Sequence, residues 1–487
     1  FGAVEYLTTF PYGCVEQTMS SFLPNVIVTQ TVKDLGLKTN LDQAVLREKL
    51  SSGLDRLYAY QHEDGGWGWW ETDATHPFMT AYVVAGLEQA KAAGVDVRSD
   101  VIDRGAKWVQ TALTGSDIAP DLRAYMLFSL ASRTDAISFD SVLSDRSKLS
   151  PYGLALLGLA LEQRKDGRAG QIAQALETAA QQDGEQAWWP AERDEMLDFS
   201  ADVTPEATAY AVRFLSHLRP QSPLLPKASV WLMNHRNEGY WWTSTKQTAM
   251  VIYGLTDYLK VSKELMPNFN ATVSVNGRQV IAKRFDSVGG VVEPEFVLTE
   301  AELQSAANRV QLTTSGQGRL YYSVRGDYSS SEEKLERSGS VKLNILREYF
   351  RMAPSKNGDR IVYDLSPLAG TVTSGDVIAV RLTVSGDKWR YLMIEDPIPS
   401  GTEFIERDQA YELRNKPPWW SYFFSRRELH DNRMAIFETE FPQGQRDYFY
   451  LLKVVNPGKF RASPARVQPM YQSGVLATTG SRDLEAQ

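Results

Sequence analysis

The chain has 487 residues, which predicts about three domains at roughly 150 residues each. Its 52 Lys and Arg against 60 Asp and Glu give a formal charge of −8, which argues against a general phosphate-backbone binder and so against a nucleic-acid partner. An apolar fraction of 43% excludes wholesale disorder, and no run approaches the about 18 uncharged apolar residues that would insert into a membrane.

The acid excess is confined to one half. Residues 1–262 hold 23 Lys and Arg against 32 Asp and Glu, and nine of the twelve Trp. The remainder is balanced at 29 against 28, so two chemically distinct halves are expected. The single cysteine, Cys14, excludes a disulfide framework and a multi-Cys zinc site; no metal and no cofactor are expected. The chain opens at Phe1 with no initiator Met and reads as a fragment, so the lack of a signal peptide says nothing about its parent.

From about residue 14 to 262 apolar residues recur at three- and four-residue spacing. Residues 103–113 (DRGAKWVQTAL), 151–162 (PYGLALLGLALE) and 204–218 (TPEATAYAVRFLSHL) are examples. Helix punctuation accompanies them. Asn40 precedes one helical run, Gly94 follows another that begins near Pro77, and Thr204 stands before Pro205 as a predicted N-cap. The pattern predicts about eleven helices of roughly 12–20 residues. Paired helices with short connections fit a solenoid or a closed α/α ring, and periodicity does not choose between them.

Near Pro267 the period changes to two. Residues 271–275, the Asn276-Gly277 turn and residues 279–283 predict a hairpin. Further strands are predicted at 309–313, 319–324, 341–346, 377–384, 390–394 and 448–455. The polar stretch 329–336 (SSSEEKLE) reads as a linker and splits this half into two antiparallel β-sandwich units near residue 335. Residues 416–424 (KPPWWSYFF) read as an aromatic loop packed on a sandwich end. Arg426 and Arg427 are too isolated for a nucleic-acid patch.

Residues 10–25 (FPYGCVEQTMSSFLPN) carry the most chemistry. Cys14 and Gln17 stand three apart at the start of an amphipathic helix, which puts thiol and carboxamide on nearly one face. Gly13 relieves the backbone before the helix. A helix N-terminus also favours thiolate. Sulfur attacking the Gln17 carbonyl would release ammonia and leave an internal thioester. Phe10, Tyr12 and Phe22 are candidates for shielding it from water. A lone Cys also fits a small buried hydrophobe. A protease nucleophile would need a histidine, and His62, His76, His217, His235 and His430 sit in no recognisable Cys-protease signature.

The segment from Gly13 to Gln17 resembles the G-C-x-E-Q thioester motif of the α2-macroglobulin and complement family. Its Pro-Tyr-Gly lead and Thr-Met-Ser-Ser tail are similar to the bacterial branch. Residues 79–84, 205–211 and 231–255 resemble later helices of the family's thioester domain, and the β segments resemble a CUB half and a C-terminal macroglobulin-like domain. The resemblance implies an α/α toroid at 1–265, a CUB-like portion at 266–335 and a macroglobulin-like sandwich at 336–487. It implies an inhibitor rather than an enzyme, one that traps proteases when Gln17 transfers its acyl group to a lysine and Cys14 leaves. It also implies an N-terminal remainder as partner and a periplasmic, lipid-anchored parent. Hydroxyl-preferring complement members carry a catalytic His in a long loop. The matching residues 114–120 (TGSDIAP) are short and have none, which leaves direct aminolysis; His76 lies in another loop and is a candidate for reaching the site. Tyr411, Trp419 and Trp420 are candidates for covering the thioester.

Other motifs point to other classes. Residues 61–70 (QHEDGGWGWW) resemble the QW motif of triterpene cyclases, with Gln61 capping a helix end, Trp packing between helices and Gly65 and Gly66 allowing a tight turn. A cyclase would need a D-x-D-D acid, and no such run occurs. A thioester-based surface adhesin is a further alternative. The acidic string 192–202 (ERDEMLDFSAD) reads as a solvated loop, with cation binding as the alternative.

Overall fold

The computed structural model describes residues 2–10, 13–34, 43–133, 137–237, 239–262, 264, 267–286, 294–304, 307–326, 335–414, 416 and 425–487. They divide into two compact units, Phe1–Arg325 and Gly326–Gln487.

The first unit holds twelve α-helices among the described residues: α1 (Gly2–Thr9), α2 (Val15–Asp34), α3 (Gln43–Ala59), α4 (Pro77–Ala92), α5 (Ser99–Ala112), α6 (Pro120–Leu130), α7 (Asp140–Ser144), α8 (Pro151–Gln163), α9 (Ala169–Ala179), α10 (Thr204–Leu218), α11 (Leu224–Asn234) and α12 (Thr245–Val261). The even-numbered helices pack in sequence, α2 on α4, α4 on α6, and so on to α12, which returns to α2. That last contact closes a ring and excludes the solenoid. The odd-numbered helices form an outer layer, with α1 and α3 on α2, α5 on α4, α7 on α6, α9 on α8 and α11 on α10. None of these helices is long and apolar enough to cross a membrane.

Composition explains the two layers. Helix α8 buries every residue from Tyr152 to Leu161 except Leu154, as a helix enclosed on all sides must. Helix α5 buries only Val101, Ile102, Gly105, Ala106 and Val109, a single stripe. Gly254 of α12 lies against the Ala209 backbone of α10, where a Cβ would not fit, so these two inner helices approach closely.

The inner helices run parallel. First turns meet first turns: Glu16 of α2 with Thr245 of α12, and Lys246 of α12 with Glu206 of α10. Last turns meet likewise: Arg213 of α10 with Asp257 of α12, and His217 of α10 with Glu162 of α8. Six positive dipole ends therefore gather at one mouth of the ring.

Three outer helices end on the same device. The indole N–H of Trp67 donates to Leu57 O near the end of α3 at 2.8 Å. Trp189 donates to Leu176 O in α9 at 2.8 Å, and Trp242 to Leu232 O in α11 at 3.1 Å. The backbone N–H of each Trp is held by a Thr of the next inner helix: Thr80, Thr208 and Thr248. Trp67 and Trp189 thus satisfy carbonyls near a helix end, while Leu232 O, the acceptor of Trp242, also accepts from His235 N at 3.2 Å. Gln61 does something other than the expected end-capping. It donates to Gly65 O and to Val101 O in the first turn of α5, while Trp67 reaches the helix end. Gly65 takes φ +93° in the turn.

Thr204 departs from its expected role as an N-cap. It is the first helical residue of α10, and its hydroxyl accepts from Ala191 N instead. Gly94 does follow α4, at φ +86°. Asn40 and residues 329–334 of the expected linker lie outside the described residues.

After the ring, β3 (Asn268–Val275), β4 (Arg278–Phe285) and β5 (Val310–Gln317) form one antiparallel sheet in the order β4-β3-β5; β1 (Gln181–Asp183) and β2 (Gln186–Trp188) are a short ribbon between α9 and α10. The β3–β4 turn is Asn276-Gly277, both at positive φ, as the hairpin signal requires. The strand expected at 319–324 does not form. Arg319 instead donates to Pro226 O, and Tyr321 donates to Glu264, so the segment is bound to α11 and the end of α12 rather than to a sheet edge.

The second unit is a β-sandwich. Its larger sheet has the order β10-β14-β8-β6-β7-β11, from β6 (Leu343–Asn357), β7 (Arg360–Pro367), β8 (Val377–Gly386), β10 (Thr402–Phe404), β11 (Glu412–Leu413) and β14 (Gly444–Val454). The smaller has the order β12-β13-β9-β15-β16, from β9 (Trp389–Pro397), β12 (Ser425–His430), β13 (Arg433–Phe441), β15 (Arg466–Pro469) and β16 (Ala477–Thr478). Ile345, Val380, Leu382, Ile394, Ile436 and Leu452 fill the space between them. Among the described residues two ion pairs cross it: Arg347 donates to Asp396 at 2.6 Å, with Tyr450 donating to the other Asp396 oxygen at 2.6 Å, and Arg446 donates to Glu438 at 2.5 Å.

Candidate functional site

Cys14 and Gln17 sit at the N-terminus of α2, at the ring mouth where the dipole ends converge. Both are buried, at 0% and 4% exposure. The Cys14 N–H donates to Gln17 Oε1 at 3.3 Å, and the Gln17 N–H reaches Cys14 Sγ at 3.5 Å. This is the reciprocal geometry of a capping box, with sulfur in place of the usual Ser or Thr hydroxyl. The side chains of the pair are thereby folded toward each other, by the same forces that start an ordinary helix.

The surrounding contacts fix the start of α2. Val15 N–H donates to Trp69 O at 2.9 Å. The loop carrying Trp69 is held by Asp73, which accepts from the Trp69 and Trp70 amides at 2.7 and 3.0 Å. At Gly13 φ is not positive, and a Cβ there would meet only the Arg56 guanidinium of α3, the far end of a flexible side chain. Glu16 is fully buried. Its carboxylate accepts from Thr245 Oγ1 at 2.9 and 3.0 Å and from Ser20 Oγ at 2.6 Å. Ser20 continues to Tyr82 and Tyr82 to Tyr253, a line of hydroxyls running into the ring.

Phe10 is partly exposed and packs edge-on against Tyr6, with ring centroids 5.9 Å apart. Tyr12 lies outside the described residues. Phe22 is buried against Gly53 of α3, within the α2–α3 packing. His76 precedes α4 with its ring edge-on to Trp69 at 4.8 Å, so it belongs to the loop that anchors Val15. The connection between α5 and α6, which includes residues 114–119, is short and contains no histidine. In the second unit, Tyr411 packs against Tyr363 on the outer face of the larger sheet; Trp419 and Trp420 lie outside the described residues. Among the described residues no group of three or more His, Cys, Asp or Glu could hold a metal ion.

In the acidic string 192–202, Glu192, Asp198 and Asp202 are exposed as expected of a solvated loop, and the correction is confined to Asp194. Asp194 is 2% exposed and accepts from Lys246 Nζ at 2.9 Å. Lys246, 1% exposed, also donates to both oxygens of Glu206, at 2.8 and 2.9 Å. The cation that the string binds is an ammonium from the chain itself. Burial, reinforced by the Asp194 charge, pushes Glu206 up to about 7 despite Lys246. Asp121, in the first turn of α6, is raised to about 6, chiefly by burial, with hydrogen bonds from Ser150 opposing. Sequence reasoning missed Lys246 and Thr245, which adjoin in the chain and serve two buried networks. A Lys in the first turn of an otherwise enclosed helix was the available signal.

Residues 2–116 and 127–258 match the family described as A-macroglobulin TED domain, and residues 343–473 the one described as Bacterial Alpha-2-macroglobulin MG10 domain. A protein of Thermotoga maritima named Alpha-2-macroglobulin is 41% identical over 108 residues, 22% of this chain and 6% of that one. One of the same name from Escherichia coli is 22% identical over 517 residues, 99% of this chain and 29% of that one. The present chain therefore spans less than a third of either relative. Among solved structures, native alpha-2-macroglobulin from Escherichia coli, from domain MG7 to the C-terminus, aligns at a TM-score of 0.71 with 20% identity, over 100% of this chain and 75% of that one. That likeness bears on the fold.

Proposed function

This chain belongs to the alpha-2-macroglobulin family, and from that premise we propose that Cys14 and Gln17 form an internal thioester that captures proteases through their lysine amines. The observation that carries the proposal is the capping-box geometry of this buried pair. Sγ attacks Gln17 Cδ; the S–C bond forms, the C–N bond breaks, and ammonia leaves with the thiol proton. The Cys14 N–H, already on Gln17 Oε1, stabilises the negative charge that develops on that oxygen. In the second step a lysine amine attacks the same carbon. The C–S bond breaks, the thiol recovers a proton from the amine, and the attacker is held as an amide of Gln17.

Burial keeps water from the acyl group until the molecule rearranges, with Phe10 and Tyr12 as shielding residues. We read 1–265 as the thioester toroid, 266–335 as a CUB-like portion and 336–487 as a macroglobulin-like domain. The protein acts as an inhibitor rather than an enzyme, works with an N-terminal remainder, and resides in the periplasm on a lipid anchor. The histidine-free 114–120 connection supports amines over hydroxyls as nucleophiles.

Intact mass of the native protein tests this. Expected is a mass one ammonia below the sequence value, returning with the mass of one bound amine after methylamine. A full sequence mass with a titratable thiol overturns the thioester. Preferential transfer to labelled glycerol over labelled amine overturns the aminolysis route.

A further inference from the structure

The two atoms that would condense lie in the first turn of a helix, the part of a helix that frays most readily. A pair separated by one turn keeps its alignment only if that turn is held from outside. The outside support is Glu16, between the pair in the chain. Its carboxylate is fully buried, yet it accepts from two hydroxyls, Ser20 in its own helix and Thr245 in α12. A carboxylate is an acceptor on both oxygens and so matches two donors without a leftover polar hydrogen.

Thr245 is itself rigid. It is the first residue of α12 and is buried at 6% exposure. The preceding Ser244 caps that helix, its hydroxyl accepting from Gln247 N at 3.0 Å. Glu16 and Thr245 are 229 positions apart in the chain. They meet only at the seam where the last inner helix closes the ring on the first.

We propose that Glu16 is a positioning residue for the thioester: anchored on Thr245, it fixes the first turn of α2, so Cys14 and Gln17 align for condensation only after α12 has closed the ring. This rests on the thioester reading above. It assigns a purpose to the acid of the motif, which neither attacks nor leaves. It also couples the reactive bond to completed folding, since a chain whose last helix has not docked lacks the Thr245 donor.

The test is the fraction of folded full chain that is one ammonia light, by intact mass, in four variants. Thr245→Val keeps shape and removes the donor; the fraction falls about fivefold, the factor that one net hydrogen bond is worth. Thr245→Ser restores the donor and the wild-type fraction. Glu16→Gln, which replaces one acceptor oxygen by an amide donor, lowers it as Thr245→Val does. Trp189→Phe, a clamp residue outside this network, lowers the melting temperature without changing the fraction. Wild-type condensation in Thr245→Val, or an equal loss in Trp189→Phe, overturns the positioning role. A wild-type chain with its full sequence mass overturns the thioester reading itself, and this inference with it.

Discussion

Replacing Lys246 by Met keeps most of the aliphatic stem and removes the ammonium. Asp194 and Glu206, each 2% exposed, are then left facing one another with no counter-ion. Removing one partner from a buried ion pair costs about 3–5 kcal/mol, mostly for the stranded charge. For a domain of this size that corresponds to a melting temperature lower by roughly 6–20 °C. The loss depends on pH. Burial raises Glu206 from an ordinary 4.5 to about 7, so the folded chain holds this proton more tightly than the unfolded one. Its contribution to stability is therefore present in acid and is lost as pH rises from about 4.5 through about 7. Without Lys246 the carboxyl loses the attraction that holds it down, and the window extends upward. The deficit of Lys246→Met relative to wild type is small at about pH 5 and grows as pH rises above about 7 through the extended window. Urea titrations followed by tryptophan fluorescence measure it, since nine of the twelve Trp lie in residues 1–262. A deficit below about 1 kcal/mol at alkaline pH, or one that does not vary with pH, refutes the reasoning.

The Trp clamps give a second prediction. Trp189→Phe removes the donor to Leu176 O and leaves that buried carbonyl unsatisfied, for a loss of about 1–3 kcal/mol in denaturant titrations; Trp67→Phe gives a loss of the same size and Trp242→Phe a smaller one, because Leu232 O keeps the His235 N–H. A third concerns His217. Burial opposes its charged form, but hydrogen bonds to Asp257 and Glu162 outweigh that and raise it to about 9. A histidine so raised adds stability that is full below about 6.5 and is lost as pH rises through about 9. Proton NMR of the five histidines shows one titrating near that upper value, and His217→Gln flattens the stability profile over the same window.

Legibility followed the range of the interactions. The Asn276-Gly277 hairpin was readable because its turn chemistry is contained in two residues. The pair Cys14 and Gln17 was readable because a helical turn fixes their separation whatever surrounds them. Residues 319–324 were misread because a short apolar run fits a strand as well as a strap bound to helices, and only Glu264 and Pro226 decided between them. Asp194 in the acidic string was misread for the same reason. Asp194 looks as solvated as its exposed neighbours until Lys246, more than forty residues on, is brought against it.

The amino-acid sequence by itself determined a helical half and a β half, the placement of thiol and carboxamide one turn apart, and the absence of a histidine from residues 114–120. These follow from periodicity and short spacing, which act within a few residues. Tertiary structure alone decided that the helices close into a ring, that three Trp finish three outer helices, and that Glu16 meets Thr245 at the seam. Each of those joins groups whose proximity depends on how every intervening helix packs, and no local pattern carries that sum.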